Sequence, residues 1–240
     1  MPTPGKICLT FIFFILFKPT YPQIDSAVRR AISTKIAGRQ YSAVLDTDGS
    51  IRIDKDGHHF VQQIKNSVLE GEGIYDIKFI DVDGDGCKDV VVLHNSNVDD
   101  RRDLFLFDKR QGRFRQVKNF SDYPEPIEIE GTHLYYSYHR SGCADYDWDS
   151  DLFKIVNFKI VKVGNISGQG CDDDESHGIF IYKTVNGSAK LVKKFPMSKV
   201  GNYANGKWGF IADYWKHNYK EFVSEFNRLP ASRAFAGSDN

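Results

Sequence analysis

The stretch Asp81-Val82-Asp83-Gly84-Asp85-Gly86-Cys87-Lys88-Asp89, set between two apolar runs, constrains this chain more than any other segment. Asp81, Asp83, Asp85 and Asp89 take positions 1, 3, 5 and 9 of a calcium loop, and Gly86 takes position 6, where the backbone must turn sharply. Position 7 donates a main-chain carbonyl, so Cys87 serves there through its backbone and its thiol is read as buried or idle. Hard carboxylate oxygens suit a hard cation, and four of them this close repel one another without one. A helix-loop-helix site would carry a bidentate Glu at position 12, but Val92 stands there, inside the apolar run Val90 to Leu93. The loop is therefore expected to join two strands, with Asp89 as its closing carboxylate and calcium as its ion. The competing reading is a solvated acidic turn.

Strands are expected on both sides of that loop and well beyond it. Tyr41 to Leu45, Ile51 to Ile53, Phe60 to Ile64, Ile74 to Ile80 and Val90 to Leu93 are short β-prone runs, with turn clusters at Asp46 to Ser50 and Asp54 to Gly57. Leu104 to Phe107 and Phe114 to Val117 form a hairpin through Lys109 to Gly112. The second half repeats the habit with strands at His133 to His139, Trp148 to Ile155, Phe158 to Ile166, Gly178 to Lys183 and Lys190 to Phe195. Turns are placed at Ala144-Asp145, Val156-Asn157 and Asn186-Gly187. Two helices interrupt the pattern. Ile24, Ala27, Val28 and Ala31 suggest a short one between about Gln23 and Lys35. Ile211, Trp215, Tyr219, Phe222 and Phe226 give an apolar stripe from about Phe210 to Asn227 that should pack on the sheets. The fold class expected is mainly β, an antiparallel propeller-like or sandwich array of hairpins with a C-terminal amphipathic helix.

The N-terminus reads as an address. Lys6 precedes the apolar run Ile7 to Phe17, which has the size of a secretory core and falls short of the roughly 20 residues that span a bilayer. Residues 1–22 are expected to be a signal peptide, residues 23–230 a single β-rich domain, and residues 231–240 a loose tail. Cys8 lies at the front of the apolar run, whereas a lipid-anchored cysteine would follow it, so a lipoprotein is not expected. Export to the periplasm or cell surface favours disulfides. Of the remaining Cys87, Cys143 and Cys171, the last two fall at one sheet end if the Phe158 strand returns beside the Trp148 strand. A Cys143–Cys171 bridge would close a loop of 28 residues, worth roughly 3 to 4 kcal/mol by chain entropy. Two free thiols are the alternative.

Charge narrows the partners. The chain carries 32 basic and 32 acidic residues, and without Lys6 and Lys18 the balance is 30 to 32, which argues against general binding to nucleic acid or a membrane surface. Asp145, Asp147, Asp149 and Asp151 alternate like ligands but lack a glycine turn, so they are expected to form an exposed strand face. Asp172-Asp173-Asp174-Glu175 reads as a solvated loop. No H-E-x-x-H, phosphate loop, dinucleotide fingerprint or G-x-S-x-G elbow is present, and a non-enzymatic role is expected. A hydrolase built on two carboxylates remains open as an alternative.

Phe79 to Val92 resembles the F-x-D-x-(D/N)-x-D-G-x-x-D-φ-φ-φ core of FG-GAP and VCBS-like repeats. With Leu104 to Phe114, Pro124, Tyr135 to Ser141 and the Trp148-x-Ser150 strand, the segment from about Phe60 to Lys193 is similar to calcium-binding, propeller-like immunity proteins. Those proteins inhibit lysozyme-type effectors of bacterial type IV secretion. The resemblance implies an envelope protein that inserts a loop into a lysozyme-like cleft. Lysozyme inhibitors of several folds carry a Ser-Gly-x-x-Tyr type loop for this purpose, and Ser141-Gly142-Cys143-Ala144-Asp145-Tyr146 matches it with one extra residue. Ser141, Gly142 and Tyr146 are thus the expected partner-binding residues. The alternative is a surface adhesion or glycan-binding module in which exposed Tyr and Trp side chains stack on sugars.

Overall fold

The computed structural model describes residues 28–57, 59–65, 73–97, 100–171 and 177–223. The expected leader, the Asp172 to Glu175 run and the tail lie outside the described residues. Short β-prone runs separated by turn residues build three antiparallel sheets. The first is a meander of β1 (Val28–Ile36), β2 (Arg39–Asp46), β3 (Ile51–Lys55) and β4 (His59–Ile64). The second repeats that order with β5 (Gly73–Ile80), β6 (Asp89–Asn95), β7 (Arg102–Asp108) and β8 (Arg113–Gln116).

The third sheet holds β9 (Ile127–Ile129), β10 (Leu134–Tyr136), β11 (His139–Gly142), β12 (Asp147–Val156), β13 (Lys159–Gln169), β14 (Gly178–Val185) and β15 (Ser188–Phe195). Its order is β15-β14-β13-β12-β10-β9, with β11 also paired to β12. One helix, α1 (Gly206–Val223), follows. The architecture is mainly β and antiparallel, as its period-two sequence predicts.

Alternation along each strand decides how the sheets stack. In β6, Val90 and Val92 point to one side and Val91 and Leu93 to the other, and all four are buried. The first pair joins Phe105, Phe107 and Phe114 against Leu45, Ile51 and Ile53 of the first sheet. The second pair, with Leu104 and Leu106, meets Phe120, Tyr135 and Phe153 of the third-sheet region. The middle sheet is therefore covered on both faces, which is why β6 reads as a continuous apolar run. The far face of the third sheet buries Trp148, Leu152, Ile166 and Ile181 under Phe210, Ile211, Trp215 and Phe222 of α1. Each such large apolar side chain contributes about 1.5 to 3 kcal/mol by leaving water. A buried hydrogen bond from Trp215 Nε1 to Ser150 Oγ (2.9 Å) fixes the helix in register.

Three expectations need correction. Residues from Val28 to Lys35 belong to a strand and not a helix. Ile32, Thr34 and Ile36 turn the same way, and Ile32 and Ile36 pack on the first core beside β2 partners Ala43 and Arg39. Cross-strand burial thus overrides the three- and four-residue spacing. The single strand expected from His133 to His139 breaks at Ser137, whose N–H donates to Asp151 O (3.0 Å), while Tyr138 N–H donates to Pro124 O (3.2 Å). That break sends Tyr135 towards the middle sheet and Tyr138 towards the helix side. Finally, the aspartates of β12 do not form an exposed face. Asp151 is buried between Lys162 (2.5 Å) and Asn165 (2.8 Å), and Asp149 accepts from Asn165 (3.3 Å).

Gly168 of β13 lies flat against the Trp148 indole, where a Cβ would overlap the ring. Gly168→Ala should cost about 1 to 3 kcal/mol by forcing Trp148 out of place, read as a lower midpoint in urea. An unchanged midpoint would show that the indole can shift freely.

Candidate metal centre and recognition loop

The β5–β6 connection folds as its turn residues require. Gly84 and Gly86 adopt φ of 71° and 84°, the left-handed region that suits glycine. Side-chain to backbone hydrogen bonds then wind the loop inward. Asp85 N–H donates to Asp83 Oδ1 (3.3 Å), Gly86 N–H to Asp81 Oδ2 (3.1 Å) and Cys87 N–H to Asp85 Oδ1 (2.7 Å). Asp89, only 1% exposed, accepts Val82 N–H on Oδ2 (2.8 Å) and Phe107 N–H on Oδ1 (2.9 Å). The carboxylate thereby ties the start of the loop to β7. The Tyr135 hydroxyl donates to Val82 O and ties the same loop to β10 of the next sheet.

Asp81, Asp83 and Asp89 each present an oxygen, and these atoms lie within 4.8 Å of one another. Asp85 stands outside that trio, with Oδ2 3.0 Å from Lys109 Nζ. Cys87 is buried with a free thiol, and burial pushes its pKa up, so the thiol is inert packing. A divalent cation fits this trio. Asp81 Oδ1 is buried and accepts no hydrogen bond from the described residues, and the donors are hard oxygens throughout. Burial pushes the Asp89 carboxyl up to about 7, with the charges of Asp83 and Asp85 adding to it against the two backbone hydrogen bonds. Asp83 is raised for the same leading reason, burial, and then by Asp85. The cluster thus resists ionising without a compensating charge.

The second predicted site lies between β11 and β12. Cys143 and Cys171 are disulfide-bonded, with Cα atoms 5.8 Å apart and a sequence separation of 28. Ser141 and Gly142 end β11, and Cys143, Ala144 and Asp145 form a tight turn with φ of 49°, 51° and 78°. Three consecutive non-glycine residues in the left-handed region persist only where their surroundings hold them. Here Asp147 Oδ1 accepts the N–H groups of Gly170 (2.8 Å) and Cys171 (3.1 Å). Asp145 is gripped by Lys207 Nζ at 2.7 Å from Oδ2 and by the Tyr138 hydroxyl on Oδ1. Burial alone would raise the Asp145 carboxyl, but the hydrogen bonds from Lys207 and Tyr138 outweigh it and hold the carboxyl below its ordinary value.

Tyr146 emerges from this braced turn with 68% of its surface exposed. Trp208 stands on the first turn of α1, 50% exposed, its ring 5.6 Å from that of Tyr138. Lys207 Nζ lies over both Tyr138 (5.3 Å) and Trp208 (4.7 Å). The loop motif of the sequence names Tyr146 and not Trp208. The helical stripe marks only the buried face of α1, and it is the neighbouring Lys207 that meets the loop, at Asp145, 62 residues away in sequence.

The fold and these two sites define a stacked antiparallel β protein that presents a disulfide-braced aromatic loop and an acidic hairpin turn. No protein-family model matches the chain, and no curated protein matches it significantly. Among solved structures, it is similar to one described as a Xanthomonas Type IV Secretion System related protein. The identity is 16% and the TM-score 0.48, over 71% of this chain and 96% of that one. Among the described residues no helix is long and apolar enough to cross a membrane.

The raised Asp89 carboxyl fixes the sign of a pH effect. Between its ordinary value of 3.8 and about 7, the folded chain holds a proton that the unfolded chain has released, so stability falls as pH rises through that window. In chelator, the wild type should lose stability from pH 4 to pH 7 relative to Asp89→Asn, measured by urea unfolding. Parallel pH profiles for the two proteins would contradict the buried carboxyl.

Proposed function

We propose that this protein is a non-catalytic, exported recognition protein that uses calcium to hold its scaffold and the loop 141–146 to enter the cleft of a lysozyme-like peptidoglycan hydrolase. The observation that carries the reading is Tyr146, an aromatic exposed at 68% on a turn braced by the Cys143–Cys171 bridge and by Lys207. An aromatic anchor held in place before docking loses little entropy on binding, and Tyr and Trp are the residue types that most often dominate interface energetics. Ser141 and Gly142 supply the approach strand, and Trp208 extends the surface past the loop motif. The bridge suits an oxidising compartment, which fits export.

In this reading calcium would be held by Asp81, Asp83 and Asp89, with Asp85 and the Cys87 carbonyl as the remaining members of the loop motif. The ion supplies the positive charge that three crowded carboxylates need. The chain's own residues transmit the result: Asp89 fastens β7, and Tyr135 fastens the third sheet, from which the recognition loop springs.

The test is inhibition of a panel of lysozyme-type enzymes, followed as clearing of a cell-wall suspension. Wild-type protein should slow at least one member at stoichiometric concentration. Tyr146→Ala should weaken that inhibition at least tenfold, the scale of about 1.4 kcal/mol or more expected of an interface anchor. Trp208→Ala should weaken it less, and both variants should melt as the wild type does. Undiminished inhibition by Tyr146→Ala, or no inhibition of any member by the wild type, would sink the reading. Binding of sugars through Trp208 without inhibition would instead favour a glycan-binding module.

A further inference from the structure

The strongest unexplained contact near the acidic loop belongs to Lys109. This residue opens the turn between β7 and β8, and its ammonium reaches across to the β5–β6 loop, 2.8 Å from the Asp85 carbonyl oxygen and 3.0 Å from Asp85 Oδ2. Asp85 is the position-5 carboxylate of the calcium motif, yet it is the one member that stays outside the trio of Asp81, Asp83 and Asp89. Its two carboxylate oxygens are engaged elsewhere, Oδ1 by the Cys87 N–H (2.7 Å) and Oδ2 by Lys109. Lys109 is half exposed, with 54% of its side chain accessible, and lines an open cavity of about 510 Å³ together with Asp83, Asp85 and Arg115. It has room to swing away.

We propose that Lys109 is a built-in competitor for the cation: its ammonium occupies Asp85 and thereby sets the calcium affinity of the 81–89 loop. The inference rests on the calcium reading given above and adds to it a residue that the loop motif does not contain. Two effects act with the same sign. A unit positive charge beside the cluster repels an incoming divalent ion, and the ion pair must be released before Asp85 can turn towards that ion. In the metal-free chain the same ammonium relieves repulsion among the carboxylates. Lys109 therefore stabilises the empty loop and weakens the filled one, which a merely structural lysine would not do.

Calorimetric titration of the full mature chain with calcium chloride, after decalcification, separates the possibilities. Lys109→Met should bind calcium about tenfold more tightly than wild type, as expected for removing one charge a few ångströms from a divalent ion at a partly solvated site. The gap should narrow in high salt. Lys109→Arg, which keeps the charge, should bind as wild type does, and Lys109→Met in chelator should melt lower than wild type. Equal or weaker calcium binding by Lys109→Met would overturn the competitor role while leaving the calcium reading intact. Absence of calcium uptake by every variant and by wild type would overturn both.

Discussion

Asp89 carries a carboxyl group into a place that is 1% exposed, and each of its oxygens accepts one backbone N–H, of Val82 or of Phe107. A buried charge of this kind is costly unless it is paired and fully hydrogen-bonded. The two bonds leave each oxygen a free lone pair and the charge uncompensated, and Asp83 and Asp85 nearby oppose its ionisation further. The physical consequence is a hairpin turn whose geometry is fixed by hydrogen bonds and whose electrostatics ask for a cation. Because Asp89 begins β6, the strand buried on both faces, the rest of the stack depends on this one turn.

The scaffold passes that order outward in steps. The middle sheet presses Leu104 and Leu106 against Tyr135 and Phe153, and the bond from the Tyr135 hydroxyl to Val82 O fixes the third sheet relative to the acidic loop. The helix α1 closes the far side through Trp215, and its first turn delivers Lys207 to Asp145 and Trp208 to the surface. The loop 141–146 is thus braced by a disulfide and a half-buried ion pair, with the Tyr138–Trp208 ring contact beside them. The bridge and the ion pair restrain the turn, which is how three successive residues with positive φ are kept in place.

Much of this was legible in the sequence where one local rule acted alone. The strands from Tyr41 to Phe195 follow alternation and turn chemistry, the helix follows its apolar stripe, and the meander register places Cys143 opposite Cys171. Local reading failed where distant partners decide. Ala31 and its neighbours have a helical spacing, but β2 was waiting beside them. Asp149 and Asp151 look like a solvated face until Asn165 and Lys162 of the next strand are brought against them. Asp85 belongs to the loop motif by spacing, yet its carboxylate pairs with Lys109, 24 residues away. Nothing in a linear pattern announces such pairs.

The most direct test is to locate the ion. Crystals grown in calcium and measured at a long wavelength should show one anomalous peak per chain, lying among Asp81, Asp83 and Asp89. Well-ordered crystals in excess calcium with no peak there, and with the three carboxylates bridged by water or turned to solvent, would contradict the central claim.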